Sequence, residues 1–383
     1  MNNFSLDIDY LFITLFLVLI YYIAGSNIAK GKSYWQSSIL CIISMVFIMG
    51  VRYNRGNDYM HYIAVYEYDL EDDQILFTWF NHLLKSFNTH PIEIFAYYAF
   101  PFAVFSLFLL KRYKLYAKYL LPLFVVGWLQ YEESMIRQIL GFSFGFVYLF
   151  YLFKIDFNNI KKKANVIALV ESLIFLLCSY SIHSANVITL AFITVIYLFL
   201  KKPVYYKISI PLYLIAALYL STKSDTSFLN PILSFLASQD DKFSQYADKA
   251  DVWFGKEGYS ERYTANFLVK FFNVTSNCAI MYLGYKLLAG FKKIDKSLIT
   301  LYNVYVLGTI LYDSFVNYEA INRITRYFYA FWIFPFALIL FYRKSFYKES
   351  SLQLAYIISF GVFIHFFRYL FLKGDQTLFL WDI

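Results

Sequence analysis

Apolar positions along this chain come in long unbroken runs, not in the alternation of a half-buried strand. The stretches 8–24, 92–110 and 351–370 each approach the roughly 20 residues a helix needs to cross hydrocarbon. In lipid every backbone donor and acceptor needs a partner inside the protein, so a span must be a helix or part of a closed barrel. Continuous apolar runs select helices. The pattern predicts about twelve spans, near 8–28, 34–51, 92–110, 117–130, 134–153, 164–181, 184–200, 207–221, 266–290, 297–315, 325–342 and 351–371. The expected architecture is an all-α polytopic membrane protein, with residues 1–383 forming a single transmembrane domain.

Composition agrees. Of 383 residues 60% are apolar and 23% aromatic, and only 16% are charged, against about a quarter in a soluble domain. The formal charge of +8 invites a nucleic-acid partner, yet its placement excludes one. Lys30 and Lys32, Lys111 to Lys118, Lys161 to Lys163, Lys201 and Lys202, Lys292 to Lys296, and Arg343 to Lys348 fall in alternate short loops. By the positive-inside rule those loops are cytoplasmic, which puts both termini outside. The flank before the first span carries Asp7 and Asp9 and no basic residue, the reverse of a signal peptide. Cys41, Cys178 and Cys278 all lie in apolar spans and read as core thiols, with no disulfide, metal or cofactor expected.

The external side holds the longer connections. Loop 52–91 is expected to carry a surface-lying helix near 74–87, with Trp79 and Phe80 as interfacial anchors. Loop 222–265 is too long to be structureless in a compact protein and is expected to be partly helical. Seven of the nine arginines also face outward on this topology, leaving only Arg112 and Arg343 inside. Topology does not distinguish arginine from lysine. Phosphate does, because the guanidinium fork binds it in bidentate fashion and never loses its charge.

Four polar elements sit at one depth near the outer boundary. The first is the run Arg52-Tyr53-Asn54-Arg55-Gly56-Asn57-Asp58-Tyr59. There a glycine able to take positive φ lets a turn aim guanidinium groups at one anion. Asp58 and Tyr62, four apart, share a face if a helix resumes. The second is Glu132-Glu133-Ser134-Met135-Ile136-Arg137-Gln138, with Arg137 expected one turn inside an apolar helix and an intrahelical Glu133–Arg137 pair as the bland alternative. The third is the turn Ser181-Ile182-His183-Ser184, and the fourth is 317–327 with Arg323 and Arg326. Arg262 ends the long loop and is placed to approach from above. A polyprenyl pyrophosphate would sit at this depth, its tail in lipid and its phosphates at the interface. No zinc spacing, Walker loop or nucleophile elbow accompanies these residues.

The run Arg52-Tyr53-x-x-Gly56-x-Asp58-Tyr59, with Tyr62 following, resembles the signature of the EpsG family, Wzy-type bacterial polysaccharide polymerases. Arg137-Gln138, His183-Ser184 and Arg326-Tyr327 resemble shorter family features. The resemblance implies a glycosyltransferase of the helical lipid-donor class (GT-C-like) in the bacterial inner membrane. Its substrate would be undecaprenyl-pyrophosphate-linked oligosaccharide of the kind used for capsule, O-antigen or exopolysaccharide. The growing glycan would pass, with inversion and without a metal, onto the non-reducing end of a fresh lipid-linked unit. A chain-length regulator is an implied partner.

On this reading Arg137, Arg326 and Arg323 hold the donor pyrophosphate, Arg52 and Arg55 grip a phosphate, Tyr59 and Arg262 line the substrate, and Asp58 or His183 accepts the proton. Two other readings stay open: a ligase differing only in its acceptor, and a flippase or transporter of lipid-linked oligosaccharide. Glu171, mid-span in the sixth segment, is the residue that keeps the transporter in play.

Overall fold

A computed structural model describes residues 8–56, 58–70, 74–222, 267–291, 293–316 and 319–346, with isolated positions beyond 352. Arg262, nearly all of loop 222–265 and most of the expected segment 351–371 lie outside the described residues. The described chain is helical almost throughout. In order it forms α1 (Ile8–Ala29), α2 (Tyr34–Val51), a two-residue strand β1 (Arg52–Tyr53), α3 (Tyr59–Glu67), α4 (Ile75–Ser86), α5 (Ile94–Leu110), α6 (Ala117–Ser134) and α7 (Ile136–Leu152). There follow α8 (Lys163–Ile182), α9 (Asn186–Phe199), α10 (Tyr206–Leu218), α11 (Phe267–Gly290), α12 (Lys296–Ser314), α13 (Glu319–Ala330), α14 (Ile333–Phe346) and β2 (Leu378–Phe379).

Among the described residues five helical stretches are long and apolar enough to cross a membrane: Asp9–Ala29, Tyr34–Val51, Ile94–Ser134, Lys163–Ile182 and Ile321–Lys344. Ile136–Leu152, Asn186–Phe199 and Tyr206–Thr222 are shorter apolar helices. Phe12 and Phe16 on α1, Leu40 and Phe47 on α2, and Ile174 and Leu177 on α8 are exposed. Such apolar faces are tolerable against lipid and not against water. The protein is therefore membrane-embedded and all-α.

The chain divides into two compact units, residues 1–194 with 363–383 and residues 195–362, the boundary falling within α9. In the first unit α1 packs on α2 and α6, α2 on α5, α5 on α7, and α7 on α8. Its core is aromatic: Phe102 stacks on Phe124 at 5.4 Å and Trp128 on Phe142 at 5.5 Å. α4 lies across α8. It buries Phe77 and leaves Trp79 exposed. Phe80 is not the second anchor expected from the sequence; it packs inward on Tyr98 at 6.0 Å, because it follows Phe77 by three residues and shares its face.

Two boundaries differ from expectation. α6 runs on to Ser134 instead of stopping near 130. Glu132 and Glu133 look like loop residues, yet both are buried in its last turn. The break falls at Met135 (φ −131°, ψ 51°), so Glu133 and Arg137 lie on different helices and Arg137 sits in the first turn of α7. The intrahelical pair between them is thereby excluded.

The expected segment 325–342 is likewise two helices. Pro335 has no N–H to donate to the Phe331 carbonyl, and Phe334 N takes that acceptor instead at 3.1 Å, a tight 3₁₀-type joint. In this second unit α12 is central and touches α10, α11, α13 and α14. Gly308 on α12 allows the backbone of α13 to close in, since a Cβ there would collide with Phe328.

Candidate active site

The first motif is built against the C-terminal end of α6. Arg52 is 1% exposed, and its Nη1 donates to the carbonyls of Arg55 at 3.2 Å and Glu133 at 3.3 Å. The Glu133 carbonyl belongs to the last turn of a helix, where no intrahelical N–H remains to pair it. The same guanidinium lies over the rings of Phe95 (5.6 Å) and Tyr59 (5.9 Å). Tyr59 stacks on Phe95 with centroids 4.0 Å apart and donates its hydroxyl to the Arg52 carbonyl at 3.1 Å. Burial raises its phenol to about 12, against the opposing charge of Arg52.

Gly56 has φ 101°, and a Cβ there would overlap the Glu133 carbonyl. Both the backbone conformation and the space demand glycine. Arg55, 4% exposed, places Nε 3.2 Å from Glu133 Oε2 and its Cζ 3.3 Å from the centroid of Tyr10 on α1. Three spaced letters of the motif, Arg52, Gly56 and Tyr59, thus cooperate in seating the turn on Glu133.

The two fully buried arginines face two fully buried carboxylates, Glu132 (2% exposed) and Glu133 (0%), and the charge of Arg52 reaches Glu132. Within this quartet Arg55 and Glu133 form a direct ion pair, as buried charges must. The side chains of Arg52 and Arg55 are turned to the end of α6, whose acidic residues the helix dipole would otherwise disfavour.

The partly exposed groups are Asp58, Arg137 and His183. Asp58 occupies the residue before α3, and its carbonyl accepts from Tyr62 N at 3.0 Å. A helix resumes there, so Asp58 and Tyr62 stand one turn apart. Arg137 lies in the first turn of α7, with its Cζ 5.7 Å from the ring of Phe77 on α4. His183 closes α8, and its N–H donates to the Ser179 carbonyl at 3.0 Å.

Two tethers fix the His183 turn. Ser184 N donates to Gln74 Oε1 at the start of α4 (3.1 Å), and Asn186 Nδ2 donates to the Gln138 carbonyl of α7 (3.0 Å). Gly141 permits that approach, because a Cβ there would lie 2.6 Å from Asn186 Nδ2 and 3.3 Å from His183 Cβ. Tyr59, Tyr62, Phe77, Phe95, Ile136 and Ile182 share one buried cluster. The first three sequence elements, far apart in the chain, therefore meet in the first unit. Gln74, Asn186 and Gly141 were not singled out from sequence; a glycine inside an apolar helix is the one signal that marked the place.

A family model described as the EpsG family matches residues 35–380. The chain belongs to the EpsG family. EpsG-type proteins are Wzy-like polysaccharide polymerases, so the family supports a polysaccharide polymerase role for this one. The match begins in α2 and reaches past β2, and covers most of the chain. No curated protein and no solved structure matches it.

The fourth element of this EpsG chain belongs to the second unit. Arg323 and Arg326 are both on α13, three residues apart, and both partly exposed. Arg326 Nε donates to Asn322 Oδ1 at 2.6 Å, and Asn322 Nδ2 donates to the Val316 carbonyl at 3.4 Å. Tyr327 is buried. The arginine pair projects from a helix whose other face holds Thr325 and Phe328 in the core.

Proposed function

We propose that this EpsG-family protein polymerises polyprenyl-pyrophosphate-linked oligosaccharides at the non-cytoplasmic face of a bacterial inner membrane. About twelve helices would cross the bilayer, with both termini outside. The observation that carries the reading is the division of charge in the first unit. Arg52, Arg55, Glu132 and Glu133 are buried together, while Arg137, Asp58 and His183 remain partly exposed around them.

In this reading Arg137 binds the donor pyrophosphate at the start of α7, where first-turn N–H groups also favour an anion. Arg323 and Arg326 offer fork-shaped phosphate donors of the same kind within the second unit. Each charge-assisted hydrogen bond contributes about 1.5–3 kcal/mol, so a few preorganised ones lower the barrier to pyrophosphate departure substantially. Arg52 and Arg55 act through the turn, setting where Asp58 stands. The acceptor hydroxyl oxygen attacks the anomeric carbon from the side opposite the pyrophosphate. The C–O bond to phosphate breaks with its electron pair leaving on oxygen, and the hydroxyl proton passes to Asp58 or His183.

Glu171 gives the transporter reading little support. It lies in the field of Lys154, which sits just past α7 with its Nζ 4.0 Å from the Phe150 ring centroid. The test is to supply polyprenyl-pyrophosphate repeat units to the purified protein and separate the products on a gel. A ladder supports polymerisation. A single shift onto an added lipid acceptor identifies a ligase, and no glycan product at all removes the enzyme reading.

A further inference from the structure

α4 has no part in the chemistry above, yet it reaches the surroundings of all three partly exposed groups of the first unit. Phe77, Asn81 and Leu84 recur at helical spacing and are buried, while Ile75 and Trp79 on the other side are exposed. The Phe77 ring lies 5.7 Å from Arg137 Cζ on α7 and meets Tyr62 edge-on at 5.8 Å. Tyr62 stands one turn after Asp58 on α3. One turn before Phe77, Gln74 Oε1 accepts from Ser184 N at 3.1 Å, and Ser184 is the residue beside His183.

The other end of α4 is fixed. Asn81 Oδ1 accepts from Tyr98 Oη of α5 at 2.5 Å, and Lys85 in the last turn pairs with Asp69, just past α3. Gln74 is joined to the same rod, because its carbonyl accepts from Thr78 N at 3.0 Å. A hydrogen-bonded helix has a fixed rise, so an anchored α4 holds Gln74 and Phe77 at one spacing. The turn between α8 and α9 carries an obligatory backbone donor at Ser184. The oxygen it meets belongs to α4, and a glutamine amide has one oxygen, which only accepts. The Asn186–Gln138 bond ties the residue three beyond His183; Gln74 ties the one next to it.

We infer that Gln74 is a positioning residue, which through α4 sets the distance between the His183 turn and Arg137. Arg137 opens α7 and His183 closes α8, and α4 is in contact with the surroundings of both. An in-line displacement needs the pyrophosphate donor group and the proton acceptor in register at the same moment. A misplacement of about an ångström costs on the order of a hundredfold in rate. This inference rests on the polymerase reading for what the spacing serves, and on the Gln74 and Phe77 contacts for its place.

The test uses the full chain in detergent with the lipid-linked repeat unit as substrate. Gln74→Met keeps the length of the side chain and removes the acceptor; Gln74→Glu keeps an oxygen at the same reach. Gln74→Met should lower kcat by roughly tenfold or more, with KM within about threefold and an unchanged melting temperature. Gln74→Glu should restore most of the rate. In a His183→Gln background Gln74→Met should cost little further, because it acts through that side chain. The Ser184 amide should lose protection against hydrogen exchange in Gln74→Met and keep it in Gln74→Glu.

Unchanged kcat in folded Gln74→Met overturns the positioning role even where the wild type makes a ladder, and so does a loss repeated in full in the His183→Gln background. A wild type that makes no glycan product overturns the polymerase reading instead. Amide exchange then decides the brace: protection at Ser184 that survives Gln74→Met removes it, and protection lost in Gln74→Met but kept in Gln74→Glu leaves it standing.

Discussion

Arg55 Nε lies 3.2 Å from Glu133 Oε2, with the two side chains 3% and 0% exposed, and this ion pair joins the first motif to the break between α6 and α7. Removing one partner strands the other charge in the core, which costs about 3–5 kcal/mol. Glu133→Ala and Arg55→Ala should each lower the thermal midpoint of the detergent-solubilised protein sharply. The double variant should lose much less than the sum of the two. Additive losses would show that the pair is not coupled.

Gly56→Ala should be more damaging than its single methyl suggests. The added Cβ meets the Glu133 carbonyl at a φ of 101°, so clash and backbone strain combine, and a loss of roughly 2 kcal/mol or more is expected. The yield of monodisperse protein after heating reads this directly.

Arg137→Lys separates charge from shape. The variant keeps the positive charge and loses the planar fork. If the fork holds pyrophosphate, kcat should fall by roughly a hundredfold or more with an unchanged melting temperature. Undiminished activity would remove Arg137 from the phosphate site.

Asp58→Asn tests the proton acceptor. A large fall in kcat with folding intact assigns the base to Asp58, and His183→Gln then retains most of its activity. The reverse outcome assigns the base to His183. Full activity in both variants refutes the two candidates together.

Asp156, in the connection between α7 and α8, offers a pH test outside the membrane. Its carboxylate is held below the ordinary range first by Asn159 Nδ2 at 2.7 Å and then by Asn158 N at 3.1 Å. A depressed folded value means that the stabilisation is present above the unfolded pKa of about 3.9 and is lost as pH falls through the folded one. Protection of the Asn158 amide, measured against its intrinsic exchange rate, should therefore fall on acidification below that range, and in Asp156→Asn it should already be low at neutral pH.

The helices were readable from the sequence because hydrocarbon permits so few structures. Runs of about 20 apolar residues have one solution in lipid, and α1, α2, α5 and α8 fall where those runs put them. The membership in the EpsG family was readable too, through Arg52, Gly56, Asp58 and Tyr59. What misled was polarity taken as exposure. Glu132 and Glu133 read as a loop and are interior, where Arg52 and Arg55, some eighty positions earlier, bond to Glu133. No local pattern contains that partner. Phe80 and Pro335 failed for nearer reasons, a helix face and a missing N–H.

The short strand Arg52–Tyr53 pairs antiparallel with Leu378–Phe379, and this bears on the order of assembly. The ribosome makes the arginine motif early and its strand partner far later. Throughout most of synthesis the motif's backbone must wait without that ladder. A chain arrested before Leu378 would carry every residue of the first turn and still lack the strand that pairs with it.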